Sequence, residues 1–126
     1  MERTRFEHAN PILRVADMTK SVLYYTRVLG FQNADWGNGD FTSVNRDGAC
    51  IYLCRGAQGS PGTWVWIGVE NAAALYEEYS ASGARIRHPP RNYPWALEMH
   101  VEDPDGHVLR FGSETVMDRP LDSFLG

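Results

Sequence analysis

The chain is short of cysteine, of positive charge and of long apolar runs, and each shortage removes a class of protein. Its two cysteines, Cys50 and Cys54, lie in one apparent strand. At about 3.3 Å per residue they stand about 13 Å apart, too far for a disulfide between them. Reduced thiols are expected. Twelve Lys and Arg against 16 Asp and Glu give a net charge of -4. That balance carries no basic footprint, so neither nucleic acid nor an anionic membrane surface is an expected partner. No apolar run approaches the about 20 residues of a membrane span, and the opening MERTRFEHAN lacks the apolar stretch of an export signal. The cytoplasm is the expected location.

What is present is aromatic. Four Trp, six Tyr and five Phe in a chain that is 43% hydrophobic suffice for the core of one globular domain. In TWVWIGVEN (Thr63 to Asn71) the tryptophans alternate with aliphatic residues. Successive strand side chains point to opposite faces, so Trp64, Trp66 and Gly68 share one face and Val65, Ile67 and Val69 the other. The aliphatic face suits a core, and the tryptophan face needs another partner.

The order of elements repeats. NPILRVAD reads as a strand. Met18, Val22, Tyr25 and Leu29 recur at helical spacing, with Asp17 or Thr19 as cap and Gly30 as stop, predicting a helix over about residues 18–29. Three strands follow, in FQNADW, DFTSVNR and ACIYLC, separated by turns at Gly37 to Gly39 and at Arg46 to Gly48. GAQGSPG reads as a linker over residues 56–62. TWVWIGV then opens a second unit, with a helix over about residues 71–82 closed by Gly83, a strand ARIRH, a Pro-rich loop PPRNYP containing no predicted strand, and strands WALEMHVED and HVLRFGSE around the turn PDG. This predicts a single α+β domain of two βαβββ modules, over about residues 8–55 and 63–114, with a C-terminal tail over 115–126. Each module is too small to bury its sheet alone.

The strand ending in RVAD, the helix ending in VLGF and the hairpin EDPDGHVLRF resemble the vicinal-oxygen-chelate superfamily of glyoxalase I, extradiol dioxygenases and bleomycin resistance proteins. The likeness runs from about Pro11 to Glu114. NRDGACIYL, TWVWIGV and PWALEM with DPDGHVLRF look most like the bleomycin-binding members. The resemblance implies strongly curved mixed sheets that form a cleft, with helices on their outer faces.

Metal-dependent members draw one ligand from each of four strands, because a divalent ion needs several N or O donors converging on one point. The matching positions here are Asn10, Tyr52, Trp64 and Arg110. Trp cannot ligate, Arg stays cationic, and Asn and Tyr are weak neutral substitutes. A cleft without metal or other cofactor is therefore expected.

Trp64 and Trp66 then face the cleft, Trp95 caps it, and Trp36 and Phe41 flank its rim, although for each ring simple packing is the competing reading. Glu98, His100 and Glu102 alternate with Leu97, Met99 and Val101, which points the polar set toward cleft or solvent. A Glu and a His two apart can do acid–base work or bind a cation. His88 falls in the loop and His107 reads as structural. Arg110 in the cleft disfavours a strongly cationic ligand and suits a flat molecule with a carboxylate, phenolate or carbonyl.

The expected function is sequestration of an aromatic antibiotic or related planar natural product in a Trp-lined cleft without turnover, with no catalytic residue. The alternative is an enzyme: a metal-dependent lyase or dioxygenase through His8, Glu98 and His100, or a metal-free isomerase or cyclase through His100 or Tyr52. Pro11 stiffens the N-terminal arm and belongs at a strand start or edge. With the resemblance, it predicts a two-fold homodimer in which the arm from about Phe6 to Val15 crosses over and both chains line each cleft.

Overall fold

The computed structural model describes residues 2–124. Their order is β1 (Ile12–Arg14), α1 (Met18–Leu23), a π-helical turn (Tyr24–Val28), β2 (Gln32–Asn33), β3 (Phe41–Arg46) and β4 (Ala49–Cys54), followed by β5 (Trp64–Gly68), α2 (Ala72–Ser82), β6 (Arg85–Asn92), β7 (Leu97–Glu102) and β8 (Val108–Ser113). Two open four-stranded sheets result, ordered β1-β4-β3-β2 and β5-β8-β7-β6. In each, the first strand runs parallel to the last and the remaining pairs are antiparallel. These are the two βαβββ modules of the α+β domain.

The helices form where local chemistry favours them. The Asp17 carboxylate accepts from the Lys20 N–H at 3.0 Å, and Asn71 caps α2 through Ala74 in the same way. Gly83 closes α2 in the left-handed conformation, φ 85°. The first helix does not run on as regular α-helix to residue 29. Its last turn widens, with Leu29 N–H bonding the Tyr24 carbonyl five residues back. Tyr24 and Tyr25, side by side in that turn, both reach the second module: Tyr24 Oη donates to the Glu102 carbonyl at 2.7 Å and Tyr25 Oη to Asp103 at 2.8 Å.

Two strand assignments are corrected. FQNADW pairs over Gln32–Asn33 only. PPRNYP is a loop only at Tyr93 and Pro94: β6 runs through Pro89 and Pro90 to Asn92 and carries His88 within the strand. Proline is tolerated there because β6 is an edge strand whose register slips twice, between Ile86 and His88 and again between His88 and Arg91.

Both helices and one face of each sheet share a single core. It includes Leu13, Val44, Ile51 and Leu53 from the first module and Met99, Val101, Leu109 and Phe111 from the second, with Tyr25, Leu29, Leu75 and Tyr79 from the helical segments. Val65 and Ile67 pack against it, which leaves Trp64 and Trp66 on the opposite, uncovered face.

Polar contacts lock the modules together. His107 is fully buried; its Nδ1 accepts from Thr63 N–H, and its Nε2 donates to the Arg14 carbonyl at 2.6 Å. Asp103, also fully buried, accepts from Tyr25 Oη and from the Asp105 and His107 N–H groups. Burial raises its carboxyl above the ordinary value despite those donors. Tyr25→Phe removes one donor from a buried acceptor and should cost about 1 to 3 kcal/mol of stability. Urea unfolding of the variant against wild type measures it; an unchanged midpoint would show that the lock does not depend on this hydroxyl.

Candidate ligand-binding site

The uncovered faces carry two separate groups of side chains. On the first module, Phe41 of β3 and Tyr52 of β4 lie diagonally across one antiparallel pair, with rings 5.4 Å apart. Trp36 returns to them because the Asn38 side chain accepts from the Asp40 and Phe41 N–H groups and tightens the connection. Its ring stacks on Phe41 at 6.2 Å. The sheet thus ends in a small aromatic shelf.

On the second module, cross-strand pairing sets Trp66, Arg110, His100 and His88 in one row across β5, β8, β7 and β6. Trp66 lies flat on the sheet. A Cβ at Gly112 would stand 2.8 Å from its Cζ2, and one at Gly68 3.1 Å from its Cζ3. Only glycine leaves room for this pose, and the far face of the indole stays in solvent. Trp64 and His100 meet edge to face at 5.6 Å, and the Arg87 guanidinium covers Trp64 at 5.5 Å.

Beneath this row sits Glu98, which is fully buried. Its carboxylate accepts from Arg110 Nε at 2.5 Å, Trp95 Nε1 at 2.9 Å and His100 Nε2 at 3.1 Å. Burial pushes the Glu98 carboxyl up, but these three donors outweigh it and hold it below its ordinary value. His100 is moved down chiefly by burial, against the pull of Glu98, so at neutral pH it is an uncharged ring. Arg110 spends only Nε on Glu98. Its two terminal nitrogens have no hydrogen-bond partner among the described residues, and the side chain is about one-third exposed. Trp95, anchored by Glu98 and stacked on Tyr93 at 4.7 Å, presents its other face outward.

The candidate residues therefore fall into two sets. Trp36, Phe41 and Tyr52 are together; Trp64, Trp66, Trp95, Glu98, His100 and Arg110 are together. Among the described residues no hydrogen bond, ion pair or aromatic contact joins the sets. Asn10 lines a groove of about 680 Å3 with Cys50, Gly68 and, from the second set, Trp66. Glu98 does not point into open space as the alternation suggests but lies under Arg110 and Trp95. Arg87, His88 and Tyr93 also belong to the second set, although strand alternation does not single them out. The paired prolines, which make residues 89–94 read as a loop, conceal Tyr93 and hide that the strand carrying Arg87 and His88 continues to Asn92.

The metal positions implied by the resemblance can be tested by their chemistry. Asn10 and Tyr52 lie on one module, Trp64 and Arg110 on the other, and Arg110 brings a positive charge already matched by Glu98. This donor set does not fit a divalent ion. Among the described residues no three His, Cys, Asp or Glu converge as ligands either.

The profile described as Glyoxalase/Bleomycin resistance protein/Dioxygenase superfamily matches residues 5–111. Among curated proteins, none matches the chain. Among solved structures it is similar to a bleomycin-binding protein from bleomycin-producing Streptomyces verticillus complexed with copper(II)-bleomycin. The two are 26% identical, with 88% of this chain and 98% of that one covered and a TM-score of 0.76. It shares its fold with TnmS3, an antibiotic binding protein from Streptomyces sp. CB03234, at 20% identity, 90% and 100% coverage and a TM-score of 0.76. It also shares it with TioX from Micromonospora sp. ML1, at 21% identity, 86% and 99% coverage and a TM-score of 0.72.

Glu98 makes acid stability a readout of the network. Its folded pKa lies below the unfolded value, so the stabilisation is present above about pH 4.5 and is lost as pH falls through the folded pKa. Glu98→Gln should remove that acid dependence and cost about 1 to 3 kcal/mol at neutral pH, the scale of hydrogen bonds to a charged group. Urea unfolding at pH 7 and at pH 4 checks both; identical acid sensitivity in variant and wild type would contradict the network's role.

Proposed function

The chain belongs to the glyoxalase/bleomycin resistance protein/dioxygenase superfamily, and we propose that it is a binding protein that sequesters a planar aromatic compound, of antibiotic or related natural-product type, without turning it over. One observation carries this reading. Trp36, Trp64, Trp66 and Trp95 are each more than half exposed, at 59%, 54%, 54% and 63%. Large rings held in fixed poses on an uncovered sheet face mark a binding surface. Arg110 adds two free donors beside them, and with Arg87 gives the face a positive bias in an otherwise acidic protein. The preferred ligand is accordingly flat and carries a carboxylate, phenolate or carbonyl.

The cleft requires two chains in this proposal. The two aromatic faces of one chain do not meet, and a two-fold homodimer brings the Trp36 face of one protomer opposite the Trp64 face of its partner. Ile12–Arg14 pair with Tyr52–Cys54 of their own sheet. The crossing arm is therefore the exposed segment before them, where Phe6 is 92% exposed. Acid–base chemistry at His100 is a second reading, favoured by the 3.1 Å contact with Glu98. Recovery of chemically altered ligand after incubation would select it.

Titration of flat carboxylate- and quinone-bearing compounds should quench tryptophan fluorescence, and Trp64→Ala should lower the affinity by about 1 to 3 kcal/mol while leaving thermal melting unchanged. A flat response across a broad panel would reject sequestration. Sedimentation at micromolar concentration should give twice the chain mass of 14.2 kDa. A mass of one chain that stays constant on concentrating would reject the shared cleft.

A further inference from the structure

The family match ends at residue 111, and the segment beyond β8, from residue 115 to 124, folds back onto the tryptophan-bearing sheet. Asn92, the last residue of β6 and fully buried, holds it. Its N–H donates to the Ser123 carbonyl at 2.8 Å, and its carbonyl accepts from Asp122 N–H at 2.7 Å. Its side-chain amide donates to the Val116 carbonyl at 2.9 Å and accepts from the Val116 N–H at 2.8 Å. Thr115 Oγ1 donates to the Tyr93 carbonyl, and Arg91 pairs with Asp122. This strap delivers Phe124 against His88, with ring centres 6.1 Å apart and Arg91 over the phenyl ring at 5.7 Å.

His88 ends the row that begins with Trp66. Its ring lies 4.2 Å from that of His100 and 6.5 Å from Tyr93, so aromatic groups surround it on three sides, Phe124 being the third. Its Nδ1 lies 2.8 Å from the Pro89 carbonyl. A carbonyl only accepts, so Nδ1 carries the proton, and in the neutral ring Nε2 is a lone pair. That Nε2 is screened from solvent and has no hydrogen-bond partner among the described residues. A buried acceptor of this kind needs a donor.

We propose that His88 and the strap residue Phe124 form a second subsite on this face, which takes a hydroxyl-bearing aromatic ring of the ligand. The inference rests on the binding function proposed above and extends it to a ligand class: a planar aromatic with an acidic group at one end and a hydroxyl at the other. Arg110 takes the acidic group. The ring system lies along the row over His100, and the hydroxyl donates to His88 Nε2. Arg110 and His88 are two strand spacings apart, about 10 Å, which suits a fused bicyclic or larger ring system. Phe124, half exposed and at the end of the strap, is the wall that yields to admit the ring.

Calorimetric titration of the full chain with 2-naphthoate and with 6-hydroxy-2-naphthoate tests this. Wild type should bind the hydroxylated compound about fivefold more tightly, the size of one net hydrogen bond. His88→Phe should abolish the preference, so that the two compounds bind equally, and Phe124→Ala should weaken both compounds about threefold through lost ring contact. Thermal melting establishes that each variant is folded, and the wild-type comparison stands without them. Equal wild-type affinity for the two compounds, or a preference that survives His88→Phe, overturns the subsite and leaves the binding function intact. Unchanged affinities in Phe124→Ala overturn the strap as its wall. Failure of wild type to bind either compound overturns the anionic aromatic ligand class and this inference with it.

Discussion

The turn between β7 and β8 is the constraint on which the rest of the molecule depends. Asp103 and His107, both buried, tie the second module to Tyr25 and to the backbone of Arg14 in the first. Tyr79 of α2 makes the reciprocal tie from the other side, its hydroxyl donating to the Leu29 carbonyl at 2.8 Å. With both helices drawn into one core, the sheets can only turn their remaining faces away from it. The exposed tryptophans and the separation of the two aromatic sets both descend from that packing. Hydrophobic burial drives the association of the modules, but it is the directional contacts of these few polar groups that fix how they meet.

A second buried carboxylate organises the open face. Glu98 is isolated from water yet keeps its negative charge at neutral pH, because three donors converge on it. The same three bonds set the pose of Trp95, the tautomer of His100 and the outward direction of Arg110. A face built in this way is preorganised: its rings and its free guanidinium edge are fixed before a ligand arrives, which reduces the ordering cost of binding.

Much of this is legible in the chain. Alternation in TWVWIGVEN separates the core face of β5 from its tryptophan face, the cap at Asp17 and the closing Gly83 bound the helices, and the repeated element order gives two modules. Three things are not legible. Helical periodicity does not distinguish a regular last turn from the π-helical one at Tyr24–Val28, since both keep Tyr25 and Leu29 inward. Pro89 and Pro90 read as a break because proline cannot serve a central strand, and nothing local reveals that β6 is an edge. The burial of Glu98 is hidden for a different reason: strand parity assigns a face, while only the partners Trp95 and Arg110 decide whether that face is wet. His88 is lost with the second of these and Phe124 with the tail, whose attachment centres on Asn92.

The separation of the two aromatic faces has a genetic consequence. In the proposed symmetric pair each cleft takes one face from each protomer, so a lesion confined to one face damages both clefts of a pure variant dimer. Two variants with lesions on different faces, present in the same cell, form mixed dimers in which one cleft gathers both lesions and the other gathers none. Each allele is then recessive alone and the two complement each other, although neither encodes an intact chain.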